Sequence, residues 1–522
     1  MRCSIRSRMF TAVLAFTTAG GAAAQTQGLP WIGSWSAAAS AQTTNDNASL
    51  PTFTQQTLRQ YVFTSIGGQA VRLHFSNQYG TAPLTLADVH VGQSDSVGNI
   101  VPGTDSPVTF AGSTTVVIPA GGSIISDRAV EMVPANAYLA VSAYFPGTTP
   151  VTAYTTHVFT EQGMQLVPGD ASGVPAFTNP SYPTQYFFLT SVDVQNPDAL
   201  GAVATIGASI TDGYNSSFNA NHRWSNDLSA RFQAQGLTVG VLNQGIAGAD
   251  LLQDSSSFYG EATINRFMRD VVDQPGVRWV IHTEFNDLET DNAPTLIAAE
   301  QTLMAQAHVH HINYVCSTFP PVNAAGGYEA TRQQLNAFLR TPGNGCDGLV
   351  DQDKALRDAD NPAVLAPAYF GTSDGVHPND AGYEAIAEAV DLGLFNQPTP
   401  LVLASPSTDC AAGWTTGQTI DVGTQARSCD QRFSLALQGD GNLVLYQGGQ
   451  PLWATMTTMG EQVARGEMLH NGNFALYDDT GKAVWATNSE GHPGAHLLLQ
   501  NDGNLVIYDA ANSPVWNTGT QR

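Results

Sequence analysis

The spacing of apolar and polar positions divides the chain into three stretches. From residue 25 to 197, apolar and polar residues alternate in short runs. Examples are Thr57–Phe63, Ala70–Phe75, Thr114–Ile118, Ala137–Tyr144 and Gln185–Leu189, separated by Gly, Pro, Asn and Asp. Period-two alternation marks half-buried strands. Many short strands without helical periodicity predict a β-sandwich, jelly-roll-like. From 199 to 396 the period changes. Strands are predicted at Ala202–Ile206, Thr238–Leu242, Trp279–Thr283, Ile312–Cys316 and Gly348–Asp351. They alternate with helices at Trp224–Gln235, Glu261–Val272, Pro294–His308, Tyr328–Arg340 and Asp380–Asp391. This alternation predicts a parallel sheet between two helical layers, an α/β/α domain. After a Gln397-Pro398-Thr399-Pro400 linker, short strands return over 402–522.

The middle stretch holds the candidate chemistry. The apolar run Val203–Ile206 stops at Gly207, and Ser209 follows almost at once. Open α/β sheets carry their chemistry just past the carboxyl ends of strands. Ser209 is therefore a candidate nucleophile, and a serine hydroxyl needs a base to become one. Asp374 and His377 precede the last predicted helix, a carboxylate three residues before an imidazole. A carboxylate fixes the tautomer of such a histidine and stabilises the imidazolium. The second strand ends in the turn Asn243 to Gly248, and the third runs into Glu284-Phe285-Asn286-Asp287. The N–H groups of Ser209 and Gly248 and the Asn286 amide would form a three-donor oxyanion hole. Taken singly, Ser209, Asp374 and Asn379 could be helix caps and Asn286 a turn residue.

These residues resemble the SGNH/GDSL hydrolases. Gly207 to Gly213 matches the first sequence block, Asn243 to Gly248 the second, Asn286-Asp287 the third, and Asp374-Gly375-Val376-His377-Pro378 the last. The resemblance implies a flavodoxin-like sheet and a carboxylic ester hydrolase. It makes Ser209 the nucleophile, His377 the base, Asp374 its partner, and Gly248 and Asn286 oxyanion donors. Many secreted bacterial members carry an N-terminal β domain. Two positions depart from the family. Ala208 stands where the family has Asp, and Glu284 where it has Gly. Glu284 is expected either to disfavour the oxyanion or to point outward and contact substrate.

The last stretch repeats with a period of about 31 residues, in the range of repeat architectures. Gln438-x-Asp440-x-Asn442-x-Val444-x-Tyr446 recurs as Gln500-x-Asp502-x-Asn504-x-Val506-x-Tyr508. A degenerate copy has Leu469, Asn471 and Ala475 at motif positions. Trp453, Trp485 and Trp516 follow the copies at similar offsets. The repeat predicts a pseudo-threefold β domain with tryptophans on its axis. Alternation would place Gln, Asp, Asn and Tyr on one strand face. The motif is similar to that of the bulb-type, mannose-binding lectins, which implies a β-prism. By that resemblance Gln438, Asp440, Asn442 and Tyr446 form one sugar site, and Gln500, Asp502, Asn504 and Tyr508 another. A β-prism that only stabilises or mediates contacts is the other reading.

Composition adds the setting. Only 12% of the 522 residues are charged and the formal net charge is -24, which argues against a nucleic-acid partner. Arg2, Arg6 and Arg8, the apolar Met9–Phe16 and Ala22-Ala23-Ala24 read as a signal peptide over 1–24. Secretion, extracellular or periplasmic, is therefore expected, and no segment is long enough to span a membrane. Beyond Cys3, four cysteines suggest two disulfides, Cys316–Cys346 and Cys410–Cys429, unless they are buried thiols. His308, His310 and His311 suit a helix end better than a metal, so neither metal nor cofactor is expected. His222-Arg223-Trp224 reads as structural, Trp31 and Trp35 as core, and Asn47 and Asn215 open glycosylation sequons. The expected function is a secreted serine esterase acting on O-acyl, notably acetyl, esters of carbohydrate, or on a small ester substrate. Mannose-type glycans would bind at the lectin domain. The alternatives are a general carboxylesterase or lipase localised by its lectin, and a glycan-binding protein whose hydrolase is spoiled by Glu284.

Overall fold

The computed structural model describes residues 30–521 apart from 44–51, 111, 130–131, 150–152, 256–257, 289, 311, 322–327, 372–374, 397–411, 429–431, 458–462 and 511–512. The signal-peptide segment, Asn47, Asp374, Cys410 and Cys429 lie outside the described residues.

Residues 31–195 form antiparallel sheets. One has the order 31–36, 189–195, 71–76, 123–125. A larger one has the order 165–168, 54–64, 137–148, 84–94, 106–108, with 115–118 also paired to 84–94. A small third sheet joins 186–187, 153–157 and 40–43. Leu58, Val62, Val91, Leu139 and Val141 of the larger sheet share one core with Leu73, Phe75, Val192 and Val194 of the first. That is two sheets with inward faces packed together. Trp31 is buried, and Trp35 packs edge-on against Tyr186 with centroids 4.8 Å apart.

The central sheet is parallel. Its strands are β1 (Gly201–Gly207), β2 (Val239–Gly245), β3 (Val277–His282), β4 (Asn313–Ser317) and β5 (Gly348–Val350). Their order is β2-β1-β3-β4-β5, the flavodoxin-like arrangement, with the switch of direction at β1/β3. Among the described residues, seven α-helices surround it: α1 (Ser209–Asp212), α2 (Trp224–Ala234), α3 (Thr263–Phe267), α4 (Ala293–Val309), α5 (Glu329–Leu339), α6 (Gln352–Leu356) and α7 (Asp380–Glu388). The helix expected over Glu261–Val272 is split, since α3 passes into π-helix at Met268–Val272. The last helix stops at Glu388, short of Asp391, whose side chain instead caps a short turn at Leu392–Phe395. Two cores lie on the two faces of the sheet. Cys316 in β4 is bonded to Cys346 just before β5, with Cα atoms 5.7 Å apart.

The sandwich and the sheet are not separate bodies. Ala202 and Leu242 of the central sheet belong to the sandwich core. A Cβ on Gly240 would stand 2.1 Å from the Gly33 carbonyl oxygen. Only a glycine permits that approach.

Residues 412–517 form three four-stranded sheets around one shared core. The last strand of each carries one tryptophan, and Trp453, Trp485 and Trp516 meet edge-on with centroids 5.7, 5.8 and 6.2 Å apart. The pseudo-threefold axis expected from the repeat is this tryptophan triangle. Among the described residues, no helix is long and apolar enough to cross a membrane.

Candidate active site

β1 ends at Gly207, where only glycine fits, since a Cβ there would lie 2.0 Å from Thr283 Oγ1. The chain then makes the single turn α1, beginning at Ser209 and closed by Gly213 at φ 94°. Trp224 Nε1–H reaches Thr211 Oγ1 at 3.4 Å, and Arg223 Nε–H donates to the Asp212 carbonyl at 3.0 Å. Arg223 and Trp224 thus brace the turn that presents Ser209.

Ser209 Oγ lies 2.8 Å from His377 Nε2. His377 comes from the loop before α7, 168 residues away. Asn379, two residues on, caps α7 through the Gly382 N–H at 3.0 Å, which fixes where that loop enters the helix. The Tyr214 ring packs against the imidazole at 4.7 Å. Serine and base are therefore within hydrogen-bond reach at the switch point of the sheet.

The two expected side donors come from neighbouring loops. Gly248 follows β2 with φ 80°, and a Cβ there would meet the Tyr259 ring at 2.3 Å. Asn286 follows β3 and is exposed, and its own N–H donates to the Ala249 carbonyl at 3.2 Å. Its side-chain amide has no hydrogen bond among the described residues. The buried Asp287 links the loops: its carboxylate accepts the Leu252 N–H at 3.2 Å and also the Leu251 N–H. Burial raises the pKa of Asp287, against the pull of those amides.

Glu284 departs from both expectations. It is buried and turns back under the nucleophile, where Oε1 accepts the Thr211 N–H at 2.9 Å. It neither reaches outward to a substrate nor stands free beside the oxyanion donors. Burial pushes its pKa up, opposed by the amides it caps. Ala208 is buried, and its N–H donates to the Glu284 carbonyl at 2.9 Å.

Sequence reasoning missed the aromatic surround, which no motif marks. Phe159, from the sandwich, touches Tyr214 at 5.5 Å and Phe258 at 5.8 Å, and Phe258 touches Tyr259 at 4.5 Å. The rings run from the imidazole to Gly248. Asn215 packs against Gly371, where an added Cβ would meet its Nδ2 at 2.2 Å. His308 pairs with Asp347 at 2.8 Å at the end of α4.

In the last domain, the expectation of one strand face fails. Gln438 to Asn442 is a turn, made by Gly441 at φ 85°, and the strand begins at Leu443. The turn still joins the motif: Gln438 Nε2 donates to Tyr446 Oη at 2.5 Å, and Gln500 Nε2 to Tyr508 Oη at 2.7 Å. Asp440 accepts the Asn442 N–H at 3.0 Å, and Asp502 the Asn504 N–H at 2.9 Å. The Asn442 and Asn504 side-chain oxygens accept from the Thr455 and Thr518 hydroxyls at 3.1 and 3.0 Å.

A serine paired with histidine at the switch point of a flavodoxin-like sheet defines a serine-hydrolase type of site. Residues 205–385 match the GDSL-like Lipase/Acylhydrolase family. This part of the chain is a GDSL-type acylhydrolase domain, and the protein is a carboxylic ester hydrolase. Comparison with curated proteins finds no match. Among solved structures, a GDSL-like lipase from Bacteroides thetaiotaomicron VPI-5482 is similar at 18% identity, covering 37% of this chain and 88% of that one, TM-score 0.27. The Marasmius oreades lectin is similar at 30% identity, covering 21% and 90%, TM-score 0.20. The mannose-specific agglutinin from snowdrop (Galanthus nivalis) bulbs is similar at 33% identity, covering 21% and 97%, TM-score 0.18.

Proposed function

We propose that the protein is an exported serine esterase that removes O-acyl groups, acetyl in particular, from carbohydrate, with its last domain as a glycan-targeting module. The observation that carries the reading is the 2.8 Å approach of Ser209 Oγ to His377 Nε2. His377 takes the hydroxyl proton as Ser209 attacks the ester carbonyl. The oxyanion accepts from the Ser209 and Gly248 N–H groups and the Asn286 amide. Collapse breaks the ester C–O bond, and His377 returns the proton to the departing sugar hydroxyl. Water, deprotonated by the same imidazole, then releases the acid and restores Ser209. Asp374 orients His377, as the sequence blocks imply.

The two Gln–Tyr pairs, set by identical turns, support mannose-type binding. Holding the enzyme on glycan raises the effective concentration of ester. The basic and apolar start of the chain and the Cys316–Cys346 bond fit an exported protein.

The test is acetate release from a panel of acetylated polysaccharides, beside hydrolysis of p-nitrophenyl acetate, by the full chain and by Ser209→Ala. Release from polysaccharide that Ser209→Ala abolishes is expected. Turnover of the small ester alone would favour a general carboxylesterase localised by its lectin. No turnover of either would leave a glycan-binding protein.

A further inference from the structure

The sandwich reaches the catalytic loops through one buried side chain. His157 closes the strand Ala153–His157 and is 8% exposed. Its Nδ1 lies 3.0 Å from the Ala38 carbonyl oxygen. That oxygen only accepts, so Nδ1 carries a hydrogen and the ring is fixed by its own domain. Its Nε2 lies 2.9 Å from Asp212 Oδ1. Oδ2 of the same carboxylate accepts the Ala247 N–H at 2.9 Å. Asp212 ends α1, the turn that Ser209 begins, and is 2% exposed. Ala247 is the residue before Gly248. One buried carboxylate thus has one oxygen on the sandwich and the other on the loop expected to supply an oxyanion donor.

A donor stabilises an oxyanion only if it is already aimed when charge develops. The His157 contact holds the Asp212 carboxylate in the orientation in which its other oxygen accepts the Ala247 N–H. A cavity of about 540 Å³, open solvent included, lies beside the contact, lined by His157, Asp212, Arg223, Tyr186 and Asn243 among others. Ser209 is not among its lining residues. Without His157, the carboxylate would face this polar space and could turn towards it, away from Ala247. Other bonds also seat the loop, such as Ile246 N–H to the Gly207 carbonyl at 3.1 Å. Another, Ala249 N–H to the Ile246 carbonyl at 3.0 Å, closes the turn that holds Gly248, and the Asp212 bond to Ala247 N–H inside that turn ties it to α1.

We propose that His157 is a positioning residue of the esterase site: through Asp212 and Ala247 it aims the Gly248 N–H at the oxyanion. The N-terminal β domain is thereby part of the active site. This rests on the reading of Ser209 and Gly248 given above.

The experiment compares full-length wild type, Ser209→Ala, His157→Ala, His157→Gln and Asp212→Asn on p-nitrophenyl acetate, well below each Tm. Outright loss of an oxyanion donor costs about 10²–10³ in kcat. A mis-aimed donor costs less, so His157→Ala and Asp212→Asn should lose about tenfold or more in kcat with KM within about twofold. His157→Gln keeps a donor towards Asp212 and should regain about threefold or more of that loss. If His157→Ala does not fold, Asp212→Asn and His157→Gln carry the comparison, with kcat expected to stand higher in His157→Gln. A kcat within about twofold of wild type in His157→Ala or Asp212→Asn, a loss that falls on KM, or no gain from glutamine overturns the positioning role. Wild-type turnover that survives in Ser209→Ala overturns the esterase reading instead.

Discussion

Glu284 Oε1 accepts the main-chain N–H of Thr211 at 2.9 Å, two residues beyond Ser209. The first N–H groups of a helical turn have no partner within it. The carboxyl supplies one and thereby anchors α1 from below. Burial raises its pKa, opposed by the main-chain N–H groups it accepts from.

Replacing Glu284 by glycine should therefore slow the enzyme. It would strand the Thr211 N–H in a dry site, a loss of about 1–3 kcal/mol. Glu284→Gln retains an accepting oxygen and should keep most of both stability and kcat. Thermal melts and ester hydrolysis of the two variants check this; a Glu284→Gly enzyme faster than wild type would sink it.

Gly248→Ala should damage catalysis more than folding. The φ of 80° costs an alanine about 1–2 kcal/mol, and the new methyl would stand 2.3 Å from the Tyr259 ring. Tyr259 is 42% exposed and can move aside, so the chain should fold with Tm a few degrees lower. The shifted peptide no longer aims its N–H, and kcat should fall by about tenfold or more. Gly248→Ala with Tyr259→Ala removes the clash but not the backbone strain. It should recover only part of the loss in Tm and kcat, and full recovery of both would contradict the role given to φ.

The parts of this site that lie at strand ends were legible in the sequence. Ser209, Gly248 and Asn286 each follow an apolar run, and all five central strands fall within about three residues of the observed ones. The direction of Glu284 was not legible, because it depends on the room beneath α1 rather than on any spacing. His157 and Asp212 carry no motif either, since they meet only because the sandwich docks on β2 through Gly33 and Gly240. In the last domain, the repeat showed the tryptophan triangle, but read Gln438 to Asn442 as strand. The Asp440-Gly441 step makes it a turn, and a period-two pattern cannot tell the two apart.

The pH response of stability should pass in part through Asp250. Burial, and then the charges of Asp287 and Asp291, raise its pKa from 3.8 to about 6. The folded chain holds this proton where the unfolded chain has released it. Its stabilising share is complete below pH 3.8 and is lost as pH rises through about 6. Asp250→Asn removes that loss. The Tm of the variant minus that of wild type should be more positive at about pH 7 than at about pH 4. A difference that is flat, or that runs the other way, would show that Asp250 titrates normally.

Sugar binding should have a stoichiometry of two per chain, not three. The Gln438–Tyr446 and Gln500–Tyr508 pairs are alike in geometry, each beside an Asp–Asn turn. In the middle copy Leu469 replaces the glutamine, and Tyr477 lies instead under the Arg465 guanidinium, 5.0 Å from the ring centroid. That copy lacks the glutamine amide that engages the tyrosine hydroxyl in the other two. Calorimetry with methyl-α-D-mannoside should count two weak sites. Gln438→Ala with Tyr446→Phe should leave one, and adding Gln500→Ala with Tyr508→Phe should leave none. On a mannan surface the first pair of changes should weaken retention by much more than half, because two sites on one chain rebind in concert. Hydrolysis of p-nitrophenyl acetate should be unchanged in all these variants. A count of three, or binding that survives loss of both pairs, would place the sugar elsewhere on the domain.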